Sequence, residues 1–123
     1  MANPNIVNVT SIYGNTSYLI PTTTSATTWT ALTPASGTVN KVNNIVASNV
    51  TGSAVAVTVS VNSATGGGGT AYRIAYQISV PANSSLIIVD KTTSLYVGES
   101  QSVVATVGTA NAIELTASYE ALT

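Results

Sequence analysis

Ala54-Val55-Ala56-Val57-Thr58-Val59-Ser60-Val61 decides the fold of this chain. Four valines alternate with four small residues, and a strand of period two sends all four valines to one face. A helix of 3.6-residue period would scatter them around its circumference. Valine is also stiff at χ1, which suits a pleated surface better than a helix. The segment reads as a strand with one apolar face and one face of Ala, Thr and Ser.

The same period continues on both sides. Upstream, Val39 to Val50 reads as a long strand, with Asn43-Asn44 as a bulge and Thr51-Gly52-Ser53 as a tight hairpin turn into the valines. Downstream, Gly66-Gly67-Gly68-Gly69 reads as a flexible loop, and Thr70 to Val80 as the next strand. In that strand Tyr72, Ile74, Tyr76, Ile78 and Val80 share one face, and Arg73, Ala75, Gln77 and Ser79 share the other. Pro81-Ala82-Asn83-Ser84, Lys91-Thr92-Thr93, Gly98-Glu99-Ser100 and Gly108-Thr109 are turn signals between Leu86–Asp90, Leu95–Val97, Gln101–Val107 and a last strand. In the last strand Ile113, Leu115, Ala117 and Tyr119 alternate with Glu114, Thr116, Ser118 and Glu120.

The N-terminal third is less regular. Asn5 to Ile12 reads as a strand, Tyr13-Gly14-Asn15 as a turn, Thr16 to Ile20 as a second short strand, and the Thr/Ser-rich stretch from Pro21 to Thr28 as an extended arm. Thr28 to Leu32 carries Trp29, the sole tryptophan. About eight or nine short strands, spaced roughly 8–12 residues apart and with no helical stripe, predict an all-β chain: a single antiparallel β-sandwich or jelly-roll-like domain. The expected organisation is an arm over residues 1–30 and a sandwich over 31–123. The expected core is Val55, Val57, Val59, Val61, Tyr72, Ile74, Ile78, Ile113, Leu115 and Tyr119, with Tyr76 also on the apolar face.

Composition narrows the function. The chain of 123 residues has no His and no Cys, and three Lys/Arg against four Asp/Glu give a formal net charge of -1. That length suits one domain with its own core. The usual transition-metal ligand sets, a disulfide and a histidine base for a serine nucleophile are all missing. No basic field is present for nucleic acid, no apolar run is long enough to span a membrane as a helix, and the N-terminus carries no signal-peptide pattern. The expectation is a soluble chain made in a cytoplasm, without cofactor or catalytic activity, and prone to self-association because little charge keeps copies apart.

The remaining motifs carry little chemistry. Gly66, Gly68 and Ala71 fit a loose dinucleotide-loop pattern, but a strand follows where a helix is needed. Asp90 and Glu99 are conceivable as a carboxylate pair for glycoside hydrolysis, yet both fall in turns and read as solvated. Tyr13, Tyr18 and Trp29 are the candidate subunit contacts, because Tyr and Trp are enriched at interfaces. A lectin-type calcium loop would need clustered Asp and Asn, and Asp90 is the only Asp.

Residues 31–121 resemble a family of small virion proteins of tailed bacteriophages. The resemblance is carried by Pro34-Ala35-Ser36-Gly37, by Lys41-Val42-Asn43-Asn44-Ile45-Val46-Ala47-Ser48-Asn49-Val50-Thr51-Gly52, by the valine strand, by Val80-Pro81-Ala82-Asn83-Ser84-Ser85-Leu86 and by Leu95-Tyr96-Val97-Gly98-Glu99-Ser100. The last phrase has Gly-Glu where many relatives have Gly-Asp. The opening Met1-Ala2-Asn3-Pro4-Asn5-Ile6-Val7-Asn8-Val9 is similar to small structural proteins of phages infecting cyanobacteria. The resemblance implies a virion part: a capsid decoration (cement) protein, or a tail, collar or fibre module. It implies a homo-oligomer or the major capsid protein lattice as partner, and maps no binding residue. The competing reading from the residues is a carbohydrate- or receptor-binding sandwich.

Overall fold

Alternation of the kind seen at residues 54–61 dictates strands, and the computed structural model, which describes residues 4–123, consists of them. They are β1 (Ile12–Leu19), β2 (Thr27–Thr28), β3 (Val39–Asn49), β4 (Val55–Asn62), β5 (Ala71–Val80), β6 (Ser85–Val89), β7 (Leu95–Val97), β8 (Ser102–Val107) and β9 (Ile113–Leu122). Among the described residues the helical pieces are 3-10 turns at Thr30–Leu32, Thr65–Gly67 and Lys91–Thr93.

The strands form two antiparallel sheets. The first runs β1-β9-β3-β6, and the second β2-β8-β4-β5. β7 also pairs with β3: β6 lies along Ile45–Ser48 and β7 along Asn40–Val42. The two short strands therefore act as one interrupted edge strand. Counted so, first pairs with last and second with second-to-last, which is jelly-roll order. The expected all-β sandwich is the fold of this protein.

The inward faces meet in one core. Trp29, Leu32, Val42, Ile45, Val57, Val59, Val97, Val103, Ile113 and Leu115 are buried, and Leu19, Leu86, Ile88, Leu95 and Tyr119 pack around them. Val55, Val57, Val59, Ile113 and Leu115 take the core places their alternation predicts. Val61 and Tyr119 are half-buried.

β5 departs from expectation. Tyr72 is 64% exposed and Tyr76 57%, and Ile74 and Ile78 are exposed with them. The reason is position. β5 is the edge of its sheet, paired with β4 alone. Val57 pairs with Ile78, Val59 with Ala75 and Ser60 with Arg73, so β5 uses an extra residue at each of these steps. Such bulges bend and twist a strand and re-aim its side chains. Only Ala75 and Val80 remain buried on it.

Thr51-Gly52-Ser53 is not a hairpin turn, because β3 and β4 lie in different sheets. The chain arches between the layers there, and Asn49 holds the arch. Its buried amide donates to Ser53 O at 2.7 Å and Val80 O at 3.0 Å, and its Oδ1 accepts from the Thr51 N–H at 2.9 Å and hydroxyl at 2.7 Å. Turn residues announce a reversal but not which sheet receives the chain.

The N-terminal segment is also reassigned. Asn5 to Asn8 form a turn, and Tyr13-Gly14-Asn15 lies inside β1. β1 pairs with β9 from Ile12↔Leu122 to Leu19↔Leu115, and β2 pairs with β8. From Ile12 onward the expected arm is thus part of the sandwich, and residue 30 is not a boundary. Met1, Ala2 and Asn3 of that arm lie outside the described residues.

Candidate functional site

Among the described residues no three His, Cys, Asp or Glu side chains gather where they would hold a metal ion. Asp90 and Glu99 play separate local roles. Asp90 is exposed and caps the Lys91–Thr93 turn. Its Oδ1 accepts from the Thr92 N–H at 2.9 Å, the Thr93 N–H at 3.1 Å and the Thr92 hydroxyl. The Thr92 hydroxyl, helped by the Thr92 and Thr93 N–H groups, holds this carboxyl below its ordinary pKa. Glu99, expected in solvent, is instead 7% exposed, and its Oε2 accepts from the Gly37 N–H at 2.6 Å. The carboxylate pins the turn at Pro34–Gly37 to the turn before β8, two segments far apart in sequence.

The three candidate contact residues separate. Tyr13 and Tyr18 are 63% and 74% exposed on β1, an edge of the first sheet. Trp29 is not available for contact: it is 1% exposed, and its Nε1 donates to Ser17 Oγ at 2.9 Å inside the core. The irregular sequence around it concealed a core position. Ile12 on β1 is exposed, and so are Tyr72, Ile74, Tyr76 and Ile78 on β5 and Ile87 and Tyr96 near the opposite edge of the first sheet. The edges therefore carry most of the chain's exposed aromatic surface.

The second sheet also carries a trough on its outer face. Val55, Val57 and Val59 point inward, so Ala56, Thr58, Ser60 and Asn62 point outward. The loop after β4 folds back over one end of them. Ser60 Oγ bonds Asn62 Oδ1 at 2.8 Å, and Asn62 Nδ2 donates to Gly67 O at 2.9 Å. Gly67 N donates to Ser102 Oγ at 3.0 Å, and Ser102 Oγ donates to Ala64 O at 2.7 Å. The glycine run, expected to be a flexible loop, is thus held down by buried polar side chains. Gly67 is required there: its φ of +80 is left-handed backbone, and a Cβ would meet Thr28 Oγ1 at 2.5 Å.

Two hollows, of about 280 and 390 Å³, share Thr58, Gln77 and Thr106 and make one trough along this face. Arg73 and Tyr76 line the first hollow, with the guanidinium carbon 5.1 Å from the ring centroid. Gln77 has φ 48, and its N–H donates to Thr58 Oγ1 at 2.9 Å. Strict alternation puts Arg73 and Tyr76 on opposite faces; the bulges bring them together, and no periodicity in the sequence signals that.

A third hollow, of about 640 Å³, lies on the outer face of the first sheet and is lined by Lys41, Asn43, Asn44, Asp90, Lys91 and Glu120 with Val46 and Ile87. Asn43 stands at the register shift between β3 and β9, as the Asn-Asn pair predicts. Its Nδ2 donates to Glu120 Oε1 at 3.1 Å, and Asn44 Oδ1 accepts from Ser118 N at 2.9 Å.

No protein-family model matches this chain, and no curated protein matches it. Among solved structures it is similar to a Bacillus endospore appendage, described as one of a family of disulfide-linked pili. The identity is 19%, over 91% of this chain and 87% of that one, with a TM-score of 0.49. A likeness of that order carries nothing about function. No helix among the described residues is long and apolar enough to cross a membrane.

Proposed function

We propose that this chain is a structural protein of a tailed-phage virion, made in the host cytoplasm, that decorates and cements the capsid shell. The observation that carries the reading is the set of large apolar side chains left exposed along sheet edges, Tyr13 and Tyr18 on β1 and Tyr72, Ile74 and Ile78 on β5. Edge strands offer unpaired backbone groups to a second chain, and proteins that stay alone blunt them with charge, proline or bulges; β5 is bulged, whereas β1 is in unbroken register with β9 and carries no charge and no proline. Here the chain has three Lys/Arg in all, and Arg73 alone stands on β5. Tyrosine-rich edges of this kind suit docking on a second copy or on the major capsid protein lattice. Weak individual contacts suffice on a shell, because many copies bind together through avidity. The family resemblance over residues 31–121 supports the same reading.

Reconstruction of purified particles tests it. The expected result is density for this chain at regular positions among the major capsid subunits. Density confined to the tail, collar or fibres would move the protein to that part of the virion, and absence from purified particles would overturn the assignment.

A further inference from the structure

The trough on the second sheet is a built surface rather than a bare sheet face. Its closed end is fixed by Ser60, Asn62 and Ser102, which are 4%, 6% and 0% exposed and bonded to one another or to the glycine loop. Its floor presents the hydroxyls of Thr58 and Thr106. Its wall is a double-bulged strand with a left-handed residue, Gln77, held by Thr58. Bulges beside sites re-aim side chains, and a non-glycine residue at positive φ persists only where its surroundings hold it. The result is an aromatic ring and a cation projecting over the same floor.

That lining selects its occupant. The floor strand β4 is paired with β5 on one side and β8 on the other, so its backbone is unavailable to an added peptide strand, and β2 covers β8 at Val104 and Ala105. What the trough offers instead is the Thr58 and Thr106 hydroxyls and the Gln77 amide set among Ala56, Val104 and Val107, a mix of polar points and apolar floor that matches the hydroxyls and C–H faces of a sugar chain. Tyr76 supplies an amphipathic face for a sugar ring. Arg73 is the one charged residue lining either hollow, and it forms no ion pair with a carboxylate among the described residues. A lone guanidinium complements a lone carboxylate and is far too little charge to hold a phosphate backbone. From Asn62 to Ala56 the trough extends about 20 Å at the usual strand rise, room for several sugar units.

We propose that this trough binds an extended acidic oligosaccharide, a chain of pyranose rings bearing carboxylates, with Tyr76 against a ring face and Arg73 on a carboxylate. The site belongs to the chain by itself, so its test is independent of where the protein resides.

The full chain, labelled with ¹⁵N, is titrated with tetrasaccharides of galacturonate, alginate and hyaluronan, and with neutral maltotetraose. Binding of at least one acidic tetrasaccharide is expected, with amide shifts centred on Thr58, Arg73, Gln77 and Thr106. Arg73→Ala and Tyr76→Ala should each weaken it about tenfold or more, and Arg73→Lys should weaken it less than Arg73→Ala, as expected for loss of a charge-assisted hydrogen bond and of ring stacking. Both side chains are exposed, so an unchanged melting temperature will show that the variants remain folded. The proposal is overturned if no acidic tetrasaccharide binds, if maltotetraose binds equally well, if the shifts centre on Lys41 and Lys91, or if Arg73→Ala and Tyr76→Ala bind as the parent does.

Discussion

The indole of Trp29 and the hydroxyl of Ser17 meet inside the sandwich, Nε1 to Oγ at 2.9 Å, and join the two sheets. Ser17 belongs to β1 of the first sheet, whereas the Trp29 N–H donates to Val103 O in the second at 2.7 Å. Trp29→Ala should cost about 3–5 kcal/mol in denaturant unfolding, through lost transfer energy and a cavity. Ser17→Ala strands a buried indole N–H and should cost about 1–3 kcal/mol. As the sole tryptophan, Trp29 reports its own environment: emission should be blue-shifted when folded and move to the red on unfolding.

Removing residues 1–20 should do more than weaken assembly. The deletion takes β1 from its pairing with β9 and removes Ser17. A lower melting temperature and aggregation through the exposed β9 edge are expected in calorimetry and light scattering. A truncated chain that melted with the parent would show that β1 is a dispensable addition.

Asn49 is the polar residue whose loss should be felt most. Asn49→Ala removes a buried side chain, leaves Val80 O and the Thr51 N–H without their side-chain partner, and leaves Ser53 O with the Thr51 hydroxyl alone. The expected loss is about 2–4 kcal/mol, from buried polar groups left unsatisfied. Asn49→Asp should be no rescue, since a carboxylate cannot donate to the two carbonyls. Chemical denaturation of the three proteins side by side checks both statements.

Core and edge should respond oppositely to truncation. Leu115→Ala, at a fully buried position, should cost about 2–4 kcal/mol. Tyr72→Ser, on exposed β5, should stay within about 0.5 kcal/mol in the monomer. The same Tyr72→Ser should reduce self-association or particle occupancy, measured by sedimentation or by binding to shells stripped of this protein.

Acid should loosen the Lys91–Thr93 turn before the rest of the fold. The Asp90 carboxyl titrates below its unfolded value because Thr92 and Thr93 hydrogen bonds favour the anion. A depressed folded pKa contributes stability that is present above the unfolded pKa, near 4, and is lost as pH falls through the folded one. Asp90→Asn should flatten this dependence, and the Thr92 and Thr93 amide shifts should then cease to follow a carboxyl titration. Unaltered titration of those amides in the variant would refute the assignment.

The class of fold follows from local pattern. Period-two alternation at Val55, Val57 and Val59 and at Ile113 and Leu115 can bury those side chains only in strands, and local stereochemistry enforces that whatever the neighbours are. The bulge at Asn43 was legible for the same reason, since it interrupts the period locally. Which strand lies at an edge was not legible. Tyr72 and Ile78 alternate as regularly as the valines, but β5 pairs on one side only and is bulged, so they face solvent. Trp29, in an irregular stretch, is core because two sheets close over it. Thr51-Gly52-Ser53 and the glycine run were readable as reversals; that one arches between sheets and the other is tied to Ser102 depended on residues distant in the chain. The trough follows the same rule: Arg73 and Tyr76 share a face only after long-range pairing with β4 has set the register. Local periodicity fixes which side of a strand a residue takes, and tertiary structure alone decides what, if anything, covers that side.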